Sequence, residues 1–88
     1  MDLQDIRKEI DRIDNDIVRL FEERMDFSEE AARYKQENNL PVYDPAREKQ
    51  KLDDVAGKVS KGRESYITAL YTLLFELSRA DQERIING

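Results

Sequence analysis

Arg24 occupies a position where an apolar residue belongs. It falls in the series Leu3, Ile6, Ile10, Ile13, Ile17, Leu20, Arg24, Phe27, Ala31, Tyr34, whose steps alternate three and four without a slip. Charges are rarely buried unless something pairs with them, so a guanidinium in such a seam calls for an anion. Lys35 follows eleven residues later. At 100° per residue it returns to within about 20° of the same direction, three turns along the helix. Two long cations therefore lean to one side of one element. Arg47 and Glu48 sit in the first turn of a second helix, after Asp44. Ser78 and Gln82 stand four and eight residues beyond Leu74, continuing an apolar stripe as uncharged polar groups. Together with Arg7, these side chains describe a polar pocket inside a helical bundle, with more cations than acids although the chain is net acidic. Such a pocket suits a small dianion, each carboxylate taken by a guanidinium fork.

Each of these residues also has an ordinary explanation on its own. Arg24 can snorkel out of a helix face, Asp44 and Glu48 can serve a helix start, and Ser78 and Gln82 can be packing polars bonded within the bundle. Only the combination points to a site. What the chain lacks narrows the chemistry. It has no Cys and no His, which excludes thiolate catalysis, a Ser-His triad, a His general base and His metal ligands. The net charge of −5 argues against a nucleic-acid partner. No apolar run approaches transmembrane length, and the charged start from Asp2 onward lacks an apolar signal-peptide core. A cytoplasmic chain with no membrane partner is expected.

The elements that must position these residues are three helices, long, short, long, in a single domain over residues 1–88. The first is expected from Asp2 or Leu3 to about Glu37, ended by Asn38, Asn39 and Pro41. Asp44-Pro45 places an acid cap before a first-position proline, so a second helix should run from Pro45 to about Lys58. Gly57 and Ser60-Lys61-Gly62 make a turn. A third helix, with Tyr66, Ile67, Leu70, Tyr71, Leu73, Leu74, Phe75 and Leu77 as its apolar residues, should run from about Arg63 to Ile86. The fold class is all-α.

Length adds an assembly. A compact 88-residue domain has a radius of gyration of roughly 12 Å, whereas a helix of about 33 residues is roughly 50 Å long. Most of its apolar stripe would stay wet in a monomer, so an intertwined dimeric bundle is expected. Arg7 and Arg24 lie 17 residues apart, roughly 25 Å along one helix, too far to grip one small molecule together. An antiparallel partner helix would bring one chain's Arg7 to the other's Arg24.

In this order and spacing, the residues resemble the all-helical class of chorismate mutases, small intertwined homodimers of aromatic amino-acid biosynthesis. The likeness runs from Leu3-Gln4-Asp5-Ile6-Arg7-Lys8-Glu9-Ile10-Asp11-Arg12-Ile13-Asp14 through Glu23-Arg24 and Lys35. It continues in Leu40-Pro41-Val42-Tyr43-Asp44-Pro45-Ala46-Arg47-Glu48, the most specific stretch, and ends on Ser78 and Gln82. The resemblance implies a [3,3] rearrangement of chorismate to prephenate with no cofactor, no metal and no bond to the enzyme. By the same likeness, Arg24 and the other chain's Arg7 hold carboxylates, helped by Arg47 and Ser78. Lys35 and Gln82 face the ether oxygen, and Glu48 with the backbone near Asp44 holds the ring hydroxyl. Gln82 does not titrate, so a fairly flat rate across neutral pH is expected.

Three rivals remain at this level. Isochorismate-pyruvate lyases look similar and use a similar cationic pocket. A regulatory role is known for mutase-like domains fused to or complexed with other enzymes of the same route, although the chain ends six residues after Gln82 and no regulatory domain is expected. The third rival is a helical module without a ligand.

Overall fold

Each helix begins and ends for a local reason. In the computed structural model, which describes residues 1–88, α1 spans Leu3–Glu37, α2 Pro45–Ala56 and α3 Glu64–Asn87. Asp2 opens α1 with a reciprocal box: its carboxylate accepts from the Asp5 N–H at 2.9 Å, and Asp5 accepts from the Asp2 N–H at 3.4 Å. Asn38 closes α1 by donating its N–H to Tyr34 and Gln36 carbonyls. Asn39 then turns left-handed at φ 54°, a conformation that Asn tolerates better than other side chains. Asp44 caps α2 by accepting from the Arg47 N–H at 3.1 Å, and Pro45 needs no partner for its missing donor.

The expected helix spans hold to within two residues. α2 stops at Ala56 rather than near Lys58, because Lys58 donates back only three residues, to the Val55 carbonyl, and so tightens the last turn. Gly62, at φ 96°, makes the left-handed turn that leads into α3.

Both α1 and α2 pack against α3. Ala32, Val55, Phe75 and Gln82 are the buried residues, one or two from each helix. On α1 the side chains of Phe21, Arg24, Ser28, Ala32 and Lys35 are half-buried or buried, a stripe that takes Arg24 from the heptad seam and otherwise runs beside it. The seam is largely uncovered. Residues 1–20 are all exposed, with Ile17 at 57% and Leu20 at 52%. The radius of gyration is 16.1 Å and the longest extent 54 Å, against roughly 12 Å for a compact domain of this length. A 24-residue α3 cannot cover a 35-residue α1. No helix is long and apolar enough to cross a membrane.

One carboxyl pair ties α1 to α3 in a pH-dependent way. Asp81 is held by Arg84 Nη2 at 2.8 Å through Oδ1, while its Oδ2 is buried and has no donor when both carboxyls are ionised. A proton on Glu29 supplies that donor, so hydrogen bonding to Asp81 raises Glu29 above its ordinary value of 4.5, and repulsion from Asp81 adds to it. Asp81 is lowered, chiefly by its bond to Arg84. The stabilising effect of Glu29 is present below pH 4.5 and fades as pH rises through its raised value, whereas that of Asp81 is present above 3.8 and fades in stronger acid. Glu29→Gln, a permanent neutral donor, should therefore raise the melting temperature at pH 7, with the gain vanishing toward pH 4.5. An unchanged or lower value at pH 7 would remove this account of the pair.

Candidate active site

The cation in the seam has no acid beside it. Arg24 Nη1 donates to Ser78 Oγ at 2.9 Å, and its guanidinium carbon lies 5.9 Å and 5.8 Å from the Tyr71 and Phe75 ring centres. These two rings meet edge to face at 6.2 Å. The aromatic faces attract the cation without neutralising it.

Lys35 ends α1, where the exposed carbonyls favour a cation. Its Nζ donates to the Val42 carbonyl and to Gln82 Oε1, each at 2.9 Å. Two of the three ammonium donors are thereby used, both on neutral acceptors. Gln82, the one buried polar residue, is held at both ends: its Nε2 donates to the Ser28 carbonyl at 2.9 Å and to Ser28 Oγ at 3.0 Å. The loop carbonyl, the last turns of α1 and the C-terminal part of α3 are joined by this chain of bonds.

The opposite wall comes from α2. Asp44 fixes the start of the helix, and its first turn presents Arg47 and Glu48. Both Glu48 oxygens lie 2.5 Å from Arg79 Nη1 on α3. Hydrogen bonding to Glu48 holds the Arg79 proton more firmly than in an ordinary arginine. Tyr43 covers the same guanidinium, its ring centre 5.1 Å from the guanidinium carbon.

These walls enclose a cavity of about 450 Å³, within the roughly 300–1,000 Å³ of small-molecule sites. Arg24, Lys35, Asp44, Arg47, Glu48, Ser78 and Gln82 all line it. So do Lys51 and Arg79, which makes five cations against two carboxylates. Arg7 does not reach the cavity. It is exposed on α1, roughly 25 Å from Arg24 along the helix.

Ser28 and Arg79 are cavity residues that the sequence expectations did not place there. The signal for Arg79 was available: Phe75, Ser78, Arg79 and Gln82 follow steps of three, one and three, so they share one face of α3. For Ser28 it was its place seven residues before Lys35, on the same stripe of α1.

Fold and site define an all-helical protein with a cation-rich pocket sized for a small anion. The chain belongs to the chorismate mutase type II family, which it matches over residues 6–83. It is 33% identical over 87 residues to a protein of Methanocaldococcus jannaschii named chorismate mutase, covering 96% of this chain and 87% of that one. It is 36% identical over 88 residues to a bifunctional chorismate mutase/prephenate dehydratase of Buchnera aphidicola, covering 98% of this chain and 23% of that protein. A protein of the same name from Aquifex aeolicus is 39% identical over 54 residues, 61% of this chain and 15% of its own. The chain thus spans less than a quarter of these two-activity relatives. No solved structure matches it.

Proposed function

We propose that this chain is a cytoplasmic chorismate mutase of aromatic amino-acid biosynthesis, a single domain that works as a homodimer without a cofactor. The observation that carries this is the charge state of the pocket: Arg24 and Lys35 have only neutral hydrogen-bond partners, while the acid opposite them is already paired. Positive charge left over in a half-enclosed cavity is what a dianion needs.

The reaction is a cyclic shift of three electron pairs. The ether C–O bond breaks as a new C–C bond forms, and no proton or group leaves the substrate. The protein has to hold the flexible side chain over the ring and favour the charge that grows on the ether oxygen. Arg24, with Ser78 orienting it, binds one carboxylate, and the partner subunit's Arg7 and this chain's Arg47 bind the other. Lys35 faces the ether oxygen with its remaining N–H, and Gln82, which holds Lys35 through Oε1, joins it by turning its Nε2 from Ser28 to the ligand. Glu48, with the backbone near Asp44, accepts the ring hydroxyl. The uncovered seam of α1 gives the partner its binding face and the antiparallel pairing its reason.

The test is the loss of chorismate absorbance on adding purified protein, with products separated by chromatography. Prephenate without free pyruvate is the expected result. Pyruvate released from isochorismate instead would make the chain a lyase, and turnover of neither substrate would remove the enzymatic reading. Because Gln82 carries no titratable proton, kcat/KM should stay within about twofold from pH 6 to 8. A carboxylic acid with a raised pKa in that position would lose activity steeply there.

A further inference from the structure

Arg79 lines the cavity, yet neither the motif residues nor the pairing of chains gives it a task. It is the second half of the only ion pair between α2 and α3. Its side chain is 34% exposed and that of Glu48 19%, so the pair is partly screened but not a loose surface contact. Both Glu48 oxygens turn to one Arg79 nitrogen, and Tyr43 lies across the guanidinium from the loop before α2. Glu76, one turn earlier on α3, adds a weaker attraction. α2 packs on α3 and not on α1, so this contact helps to set where its first turn stands.

A carboxylate in a pocket for a dianion is a difficulty. Left alone, Glu48 would repel the ligand's carboxylates, or it would pair with Lys35 or Arg24 and use up the charge the ligand needs. We propose that Arg79 is a positioning residue that neutralises and aims Glu48, so that this carboxylate accepts the substrate hydroxyl while Lys35 and Arg24 stay uncompensated. This rests on the mutase reading given above. Arg79 itself touches Glu48 and Tyr43 and is not assigned a contact with the substrate.

The mechanism makes an unusual genetic prediction. Arg79→Met keeps length and apolar bulk and removes the charge. It should lower kcat/KM for chorismate about tenfold, mostly through a higher KM, since an unscreened carboxylate now opposes binding of the dianion; partial exposure keeps the effect near one order of magnitude. Glu48→Gln retains a hydroxyl acceptor without the charge. In that background Arg79→Met should cost less than about twofold, and the double variant should be more active than Arg79→Met alone. A packing role for Arg79 predicts the opposite, the same loss in both backgrounds.

The four proteins (wild type, Arg79→Met, Glu48→Gln and the double variant) are compared in steady-state kinetics and in calorimetric binding of prephenate, the product dianion. Binding should weaken about tenfold in Arg79→Met and recover in the double variant. Wild-type turnover with equal losses in both backgrounds, or with no loss in Arg79→Met, overturns the proposal and leaves the function intact. Prephenate binding without wild-type turnover removes the function, and the binding series then decides the role of Arg79. Absence of both turnover and binding removes both readings. Circular dichroism melting shows whether a variant is folded, and Arg79→Lys, which restores the charge as a single point, should recover part of the affinity if charge is what matters.

Discussion

Lys35→Ala should lower kcat/KM for chorismate by about a thousandfold, mostly in kcat. Removing one donor aimed at a developing oxyanion costs about 10²–10³-fold, and Lys35 also carries a full charge. Its position makes that charge differential. Nζ is held by Val42 and Gln82 at 2.9 Å each, so it does not have to reorganise when the ether bond lengthens. The same two contacts leave one N–H for the ligand. On the mutase reading, ground-state chorismate would gain from this cation through its carboxylates as well, but the ether oxygen becomes more negative only on the way to product, and only that increment raises kcat. Lys35→Ala also strips a charged donor from Gln82 Oε1 and from the loop carbonyl, and leaving such acceptors without their partner is destabilising, so some loss of melting temperature should accompany it. Lys35→Met separates the two effects, because it fills the space and still lacks the charge. It should melt closer to wild type than Lys35→Ala while remaining about as inactive. Retention of kcat/KM within about tenfold in Lys35→Met would take the ether oxygen away from Lys35.

Much of this arrangement is legible in the sequence itself. The unbroken alternation of threes and fours from Leu3 to Tyr34 specifies one long helix, and Asp44-Pro45 specifies where the next begins, because capping and proline act locally. The polar pair Ser78 and Gln82 was visible as an interruption of an apolar stripe. What could not be read was the pairing across elements. Glu48 and Arg79 are 31 residues apart, and their contact depends on how α2 lies on α3. The few apolar residues of α2 (Leu52, Val55, Ala56) do not dictate that angle. Ser28 shares a stripe of α1 with Lys35, but nothing in that spacing foretells that its hydroxyl and carbonyl accept from the buried Gln82 amide. The seam itself stays open within one chain. The stripe from Leu3 to Leu20 is regular in sequence, and no element of the same chain is placed to cover it.

The shared site proposed above leads to the second large effect. Arg24→Ala should reduce kcat/KM by at least two to three orders of magnitude, since a charge-assisted contact to a carboxylate in a half-enclosed site is lost. Its melting temperature should stay near wild type or rise, because the residue removed is a cation with no acid beside it, held only by Ser78 and two rings. A structural role predicts the reverse pair of outcomes, a lower melting temperature with activity retained. Arg7→Ala should be similarly inactive although Arg7 is exposed and far from this chain's cavity. Its effect then has to arrive from another copy, and mixing tests that directly. Combine Arg7→Ala chains with Arg24→Ala chains and allow subunits to exchange. Each mixed dimer has one site with both arginines and one with neither. Random exchange makes half of the dimers mixed, so about a quarter of wild-type activity should return. No recovery in a preparation whose mixed dimers are verified by mass would mean that Arg7 acts within its own chain or only on assembly. Recovery near a quarter would mean that α1 of one chain completes the pocket of the other, with the exposed seam as the surface that joins them.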